Sequence, residues 1–236
     1  MKLLMISPGF PDDMPYFARG AAQAGATIYG VGDQPPQALR PEAAGALADY
    51  LRVGDLWNED QTVATVVDWL RSKRIQVDAV ECLWEPGVVL AAKLRQHLGL
   101  PGLSIEQAHA FRDKETMKQV LDAAGVRTPH HYRAATADEV REAAKKIGFP
   151  VIVKPIDGAG SADTYTARSD EQLEQALARV QHVPEVSVEE FIEGEEFTYD
   201  TICVGGQPQF ENVAQYLPRP LAARTQSWIS PVIITV

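Results

Sequence analysis

The sequence predicts an α/β protein in which a parallel sheet is followed by an α+β half, with the last part of that half incomplete. Three observations carry this. Strand-like and helix-like segments alternate over residues 1–102, the pattern of a parallel sheet with right-handed crossovers. Further on, Gly205 and Gly206 separate two apolar runs, a two-residue hairpin turn that calls for antiparallel pairing. The chain then stops on residues 230–236, SPVIITV, an apolar strand-like run without a polar tail. That run reads as a strand awaiting neighbours, and the chain as short for what it starts to build.

The first elements follow in order. Residues 2–7 form an apolar run that breaks at Pro8 and Gly9. Met14, Phe17, Ala18 and Ala21 mark one face of a helix, and Gly25 sits where its C-terminal cap belongs. Residues 27–31 and 50–53 are strands. Asn58 and Gln61 have the spacing of a helix-starting pair, ahead of the stripe Val63, Val66, Val67 and Leu70. Arg71, Lys73 and Arg74 complement that helix's C-terminus. Residues 77–83 form a fourth strand and 87–98 a helix stopped by Gly99 and Pro101. Ligands of such sheets sit at the carboxyl ends of the strands. This places the loops 7–13, 30–36 and 84–87, with Glu85, at the edge of a site.

The second half opens near Ser104. Asp113 caps a helix with the stripe Met117, Val120, Leu121 and Ala124, ended by Gly125. Thr136 and Glu139 make a capping box before Val140, Ala143, Ala144 and Ile147. Ser169 and Gln172 repeat that signal before Leu173, Ala176, Leu177 and Val180. Strands are expected at 150–155, 164–168, 186–192 and 197–204, with a hairpin partner within 209–216.

Composition narrows the function. The chain has 236 residues, 22 basic against 32 acidic, for a net charge of −10, and a hydrophobic fraction of 45%. That fraction excludes a mostly disordered chain, and the acidic balance argues against a nucleic-acid or anionic-membrane surface. No apolar run reaches the ~18 residues of a membrane span. Cys82 and Cys203 lie far apart, which makes a reducing cytoplasm the default. Gly30 and Gly32 follow a strand, but Pro35 stands where a dinucleotide fingerprint needs its third glycine. A nicotinamide-dependent reductase is disfavoured on that ground. His130 and His131 are adjacent strand residues and point to opposite faces, so they do not converge on one metal ion.

The chemistry concentrates downstream. Residues 149–155, FPVIVKP, place Lys154 inside an otherwise apolar strand, which is costly unless the ammonium finds an anion or a cavity. Gly158, Gly160 and Ser161 follow at once, in a loop whose amides are able to crowd against a polyphosphate. On these residues alone, a snorkelling lysine on an exposed hairpin is an equal alternative. Then Glu189, Glu190, Glu193, Glu195, Glu196 and Asp200 gather six acids near one strand junction, an arrangement suited to an adenosine with its amino group and hydroxyls.

Asp113–Lys114, FPVIVKP, the glycine-rich loop and residues 189–198, EEFIEGEEFT, in this order resemble the ATP-grasp superfamily. The spacing is most similar to the carboxylate–amine ligase and biotin-carboxylase-like branch. The resemblance implies a pre-ATP-grasp, Rossmann-like domain over 1–103. It implies a lysine-bearing lid with linker helices over 104–188 and the start of an antiparallel subdomain over 189–236. It implies that Lys114 and Lys154 contact the phosphates of ATP and that Gly158, Gly160 and Ser161 close over them. Glu189 and Glu190 would lie beside the adenine amino group, with the Glu190 carbonyl accepting from it. Phe191 and Ile192 would flank the ring, with the Ile192 amide donating to it, and Glu196 would hold the ribose. The implied reaction activates a small carboxylate as an acyl phosphate for capture by an amine. Mg²⁺ is expected for the full family fold, and a homodimer is compatible with it. After Glu196 only Asp200, Glu211 and Asn212 are metal-friendly, and Arg219 and Arg224 do not align with the arginines expected at an acyl phosphate. The catalytic residues stay unassigned, and a non-catalytic nucleotide-binding module stays open beside the ligase.

Overall fold

A computed structural model describes residues 1–156, 162–219, 222–223 and 228–236. The chain divides into two compact units, Met1–Met117 and Lys118–Val236.

The first unit is built on a parallel sheet. Strand β1 (Lys2–Ile6) pairs with β2 (Thr27–Gly32) on one side and β4 (Ala79–Glu81) on the other. Outside β2 lies β3 (Leu47–Arg52), giving the order β3-β2-β1-β4. The helices are α1 (Met14–Gln23), the short α2 (Pro41–Ala44), α3 (Glu59–Ser72), α4 (Val88–Leu98) and α5 (Ile105–Arg112). Alternation along β1 splits its side chains between two cores. Leu4 and Ile6 pack with Val63, Val66 and Leu70 of α3 and Leu90 and Leu94 of α4. Met5 packs with Met14 and Ala18 of α1. A strand buried on both faces needs a near-continuous apolar run, and β1 has one.

Local signals account for most boundaries. Gly25 (φ 90°) and Gly99 (φ 67°) take the left-handed conformation beyond α1 and α4. Asn58 does stand before α3, but its amide donates to Gln61 Oε1 at 2.9 Å instead of capping the backbone. Helix α5 was not anticipated from the sequence, although Ser104 and Gln107 form a complete capping box at its start. The fourth strand is shorter than the run 77–83. Only Ala79–Glu81 reach β1, and the Cys82 thiol already donates to Trp84 O at 3.2 Å.

The second unit holds α6 (Lys114–Ala123) from Lys118 onward, α7 (Ala137–Ile147) and α8 (Asp170–Arg179). Four antiparallel strands, β5 (His131–Ala134), β6 (Val151–Pro155), β7 (Tyr165–Ala167) and β8 (Val186–Glu190), take the order β5-β8-β6-β7. One face buries Val151, Val153, Val186 and Val188 against Val140, Ala143 and Ala144 of α7 and Leu173 of α8. A second antiparallel sheet joins β9 (Phe197–Val204), β10 (Gln207–Leu217) and β11 (Val232–Thr235) in the order β11-β10-β9. Gly205 (φ 57°) and Gly206 (φ 77°) make the turn between β9 and β10, where positive φ at both central residues matches strand twist. The terminal apolar run pairs with β10, Val232 opposite Leu217 and Thr235 opposite Ala214.

Candidate functional site

The antiparallel register of β6 and β8 decides which side chains share a face. Lys154 lies opposite Ser187, and Ile152 opposite Glu189. The valines between them face the helices, so Lys154, Ser187 and Glu189 all emerge on the other face. Helix α6 contributes Lys118 to that face. Its ammonium donates to Glu189 Oε1 at 2.6 Å and to Ser187 Oγ at 2.9 Å. Ser187 Oγ donates to Glu189 Oε1 at 2.8 Å. The Lys154 ammonium pairs with the other oxygen, Oε2, at 2.6 Å.

This cluster is graded in burial. The Lys118 and Glu189 side chains are 5% and 6% exposed, whereas that of Lys154 is 26% exposed. Burial pushes the Glu189 carboxyl up, but the Lys154 and Lys118 charges and their hydrogen bonds outweigh it and hold the group below its ordinary value. Among the described residues every buried side-chain nitrogen and oxygen has a partner. The result is a carboxylate shared by two ammonium groups, with the more accessible one on the strand that runs into the glycine-rich loop.

The remaining residues of the sequence reading are placed as follows. Lys114 opens α6, one helical turn before Lys118, and Asp113 caps that helix by accepting from Glu115 N at 3.0 Å and Thr116 N at 2.8 Å. Gly158, Gly160 and Ser161 lie outside the described residues, as does Arg224. Glu190 ends β8. Its carboxylate accepts two bonds from Arg127 Nη2 at 2.9 Å and one from His130 N at 3.1 Å, so its side chain clamps the segment before β5. Phe191 leaves the strand, donating its amide to Pro150 O at 3.2 Å, and its ring lies 5.3 Å from the Arg168 guanidinium carbon. Ile192 and Glu196 are exposed beyond it. Arg219 donates to Gly194 O.

Lys118 was missed by sequence reasoning. The apolar stripe of α6 suggested that Met117 and Val120 face the core, yet they are 38% and 54% exposed while Glu115 and Lys118 are 2% and 4% exposed. A charged pair with hydrogen bonds on both partners outcompetes the apolar stripe for the sheet. One signal was available: Lys118 follows Lys114 at i+4, the spacing that shares a helix face.

A magnesium centre would need several oxygen ligands. Asp200 and Asn212 face each other across β9 and β10, with Asn212 Nδ2 3.4 Å from Asp200 Oδ2. Glu211 accepts from the Tyr199 hydroxyl. Among the described residues no group of three or more histidine, cysteine or acidic side chains converges. These described residues do not amount to a metal site. No helix of the described residues is long and apolar enough to cross a membrane.

Residues 111–216 match the ATP-grasp domain family. The chain is 26% identical over 179 residues to an L-arginine-specific L-amino acid ligase of Bacillus subtilis, covering 72% of this chain and 42% of that protein. It is 35% identical over 153 residues to a D-alanine–D-alanine ligase of Xylella fastidiosa, covering 60% of this chain and 50% of that one. The crystal structure of an L-amino acid ligase from Bacillus licheniformis superimposes with a TM-score of 0.74 at 21% identity, over 91% of this chain and 50% of that one. The chain thus spans half or less of the length of these relatives. With the motifs in order and the family match in agreement, residues 111–216 belong to an ATP-grasp domain.

Proposed function

We propose that this chain carries the nucleotide-binding part of an ATP-dependent ligase that activates the carboxylate of a small substrate, an amino acid by analogy with the relatives' names. The observation that carries the reading is the placement of Lys154: an ammonium on a strand face, at the entrance to the glycine-rich loop, held at 2.6 Å by a buried carboxylate. Lys154 and Lys114 would neutralise phosphate oxygens, with Gly158, Gly160 and Ser161 closing over them. The segment from Glu189 to Ile192 would receive adenine, and Glu196 the ribose hydroxyls.

In the reaction this reading implies, a substrate carboxylate oxygen attacks the γ-phosphorus and the bond to the bridging oxygen breaks, releasing ADP. An amine then attacks the acyl carbon of the acyl phosphate, phosphate leaves, and the amine gives up a proton. Lysines lower the barrier by holding the charged groups in place and offsetting charge as it moves.

A second reading, a nucleotide-binding module without turnover, is favoured by one observation: no three metal-type ligands converge among the described residues. Titration with ATP, followed by an ADP-release assay across a panel of amino acids, separates the two. Turnover supports the ligase, binding without turnover supports the module, and no ATP binding overturns both.

A further inference from the structure

Three aromatic rings meet at one edge of the first unit's sheet, each brought there by a different strand. Phe10 follows β1, Trp57 follows β3 and Trp84 follows β4. In a parallel sheet these segments all leave the carboxyl ends of their strands, the side on which such sheets take ligands. The Phe10 and Trp84 ring centroids lie 4.9 Å apart at 81°, and those of Trp57 and Trp84 5.1 Å apart at 64°. Trp84 also packs against the core that holds α3 and α4, whereas Phe10 and Trp57 are each 46% exposed. Rings that served only to staple the loops would gain most by burial. Here two edge-to-face contacts occupy at most two ring faces, and nearly half of each outer ring is left to solvent.

The surroundings give the cluster a sign. Residues 7–13, 53–58 and 82–87, which carry the three rings, contain Asp12, Asp13, Asp55 and Glu85 and no lysine, arginine or histidine. Arg40 and Arg112 reach in from outside these segments to pair with Asp12 at 3.2 Å and Glu85 at 2.6 Å. The Asp55 carboxylate accepts from the Trp57 amide at 2.9 Å, and Asp13 stands at the N-terminal end of α1 without capping it. Open aromatic faces among carboxylates attract a cation through ring quadrupole and charge together. We propose that Phe10, Trp57 and Trp84 form a binding site for the guanidinium or ammonium group of a small organic cation, as in the side chain of a basic amino acid. The rings supply the platform and the neighbouring carboxylates the counter-charge. This goes beyond the nucleotide reading and does not rest on it, because every residue involved lies in the first unit.

Calorimetric titration of the full chain with L-arginine and with L-citrulline, similar in length but ending in a neutral urea group, tests the proposal. L-lysine and L-norleucine make a second matched pair. No ATP is present, so failure here is separate from failure of the nucleotide reading. A preference of about tenfold or more for the charged member is expected in at least one pair, the size of a partly desolvated cation–π contact. Trp57→Leu, at a half-exposed position, should remove most of that preference, and Trp57→Phe, which keeps a ring, should retain it. Equal affinity within both pairs, or no binding of either cation, overturns the proposal. So does a Trp57→Leu variant that keeps the full preference. The comparison in the unsubstituted chain does not depend on the folding of any variant.

Discussion

Lys154 and Glu189 meet diagonally across the β6–β8 ladder, with Nζ 2.6 Å from Oε2, while Lys154's direct partner is Ser187 and Glu189's is Ile152. A diagonal pair of long side chains reaches across one pleat. It adds a side-chain tie to the backbone ladder that joins the lysine strand to the strand from which the proposed adenine-side segment departs.

That pair has a pH signature. The folded-state value of Glu189 is depressed below the ordinary 4.5, so its stabilising contribution is fully present above about pH 4.5. It is lost as pH falls through the lower folded value. Glu189→Gln should lower stability by about 3 kcal/mol at pH 7, since it leaves two buried or half-buried ammonium groups without their carboxylate. The gap between variant and parent should narrow below pH 4.5. Urea denaturation at a series of pH values measures it, and a gap that stays constant down to pH 2 contradicts the assignment.

Gly87 is held to a bare backbone by Cys82. A Cβ at Gly87 would lie 2.5 Å from the buried Cys82 Sγ. Gly87→Ala should therefore cost about 1–3 kcal/mol by overpacking. Combined with Cys82→Ala it should cost less than the sum of the two single changes, because the second removes the obstructing sulfur. Additive costs in thermal or chemical denaturation would show that the two positions do not collide.

The capping box at the start of α7 is complete: Thr136 Oγ1 accepts from Glu139 N at 3.2 Å, and Glu139 Oε2 accepts from Thr136 N at 3.0 Å. Thr136→Ala should lower stability by about 1 kcal/mol, and Thr136→Ser by much less. Equal losses in the two variants would mean that the hydroxyl does not cap.

Elements with self-contained signals were legible in the sequence. The β9–β10 turn followed from two glycines, α7 from its capping box, and β1 from its apolar run. The helix α6 existed where expected, but its buried face did not follow, because its apolar residues yield the sheet to Lys118. That choice depends on Glu189 and Ser187, about 70 positions away in the chain, and no local period encodes it. The same limit applies to Glu189. The resemblance sets it beside the adenine amino group, and nothing local in the sequence announces that its carboxylate is shared by two lysines and a serine. Helix α5 has a capping box, but the stretch behind it carries little apolar periodicity, with only Ala108 buried.

The central claim is that Lys154 marks a nucleotide-phosphate site. Calorimetric titration of the chain with a non-hydrolysable ATP analogue, compared with its Lys154→Ala variant, tests it most directly. The account predicts saturable binding that weakens by about 1.5–3 kcal/mol on loss of the ammonium, the usual size of a charge-assisted phosphate contact. Equal affinity in the two proteins, both folded, would contradict it.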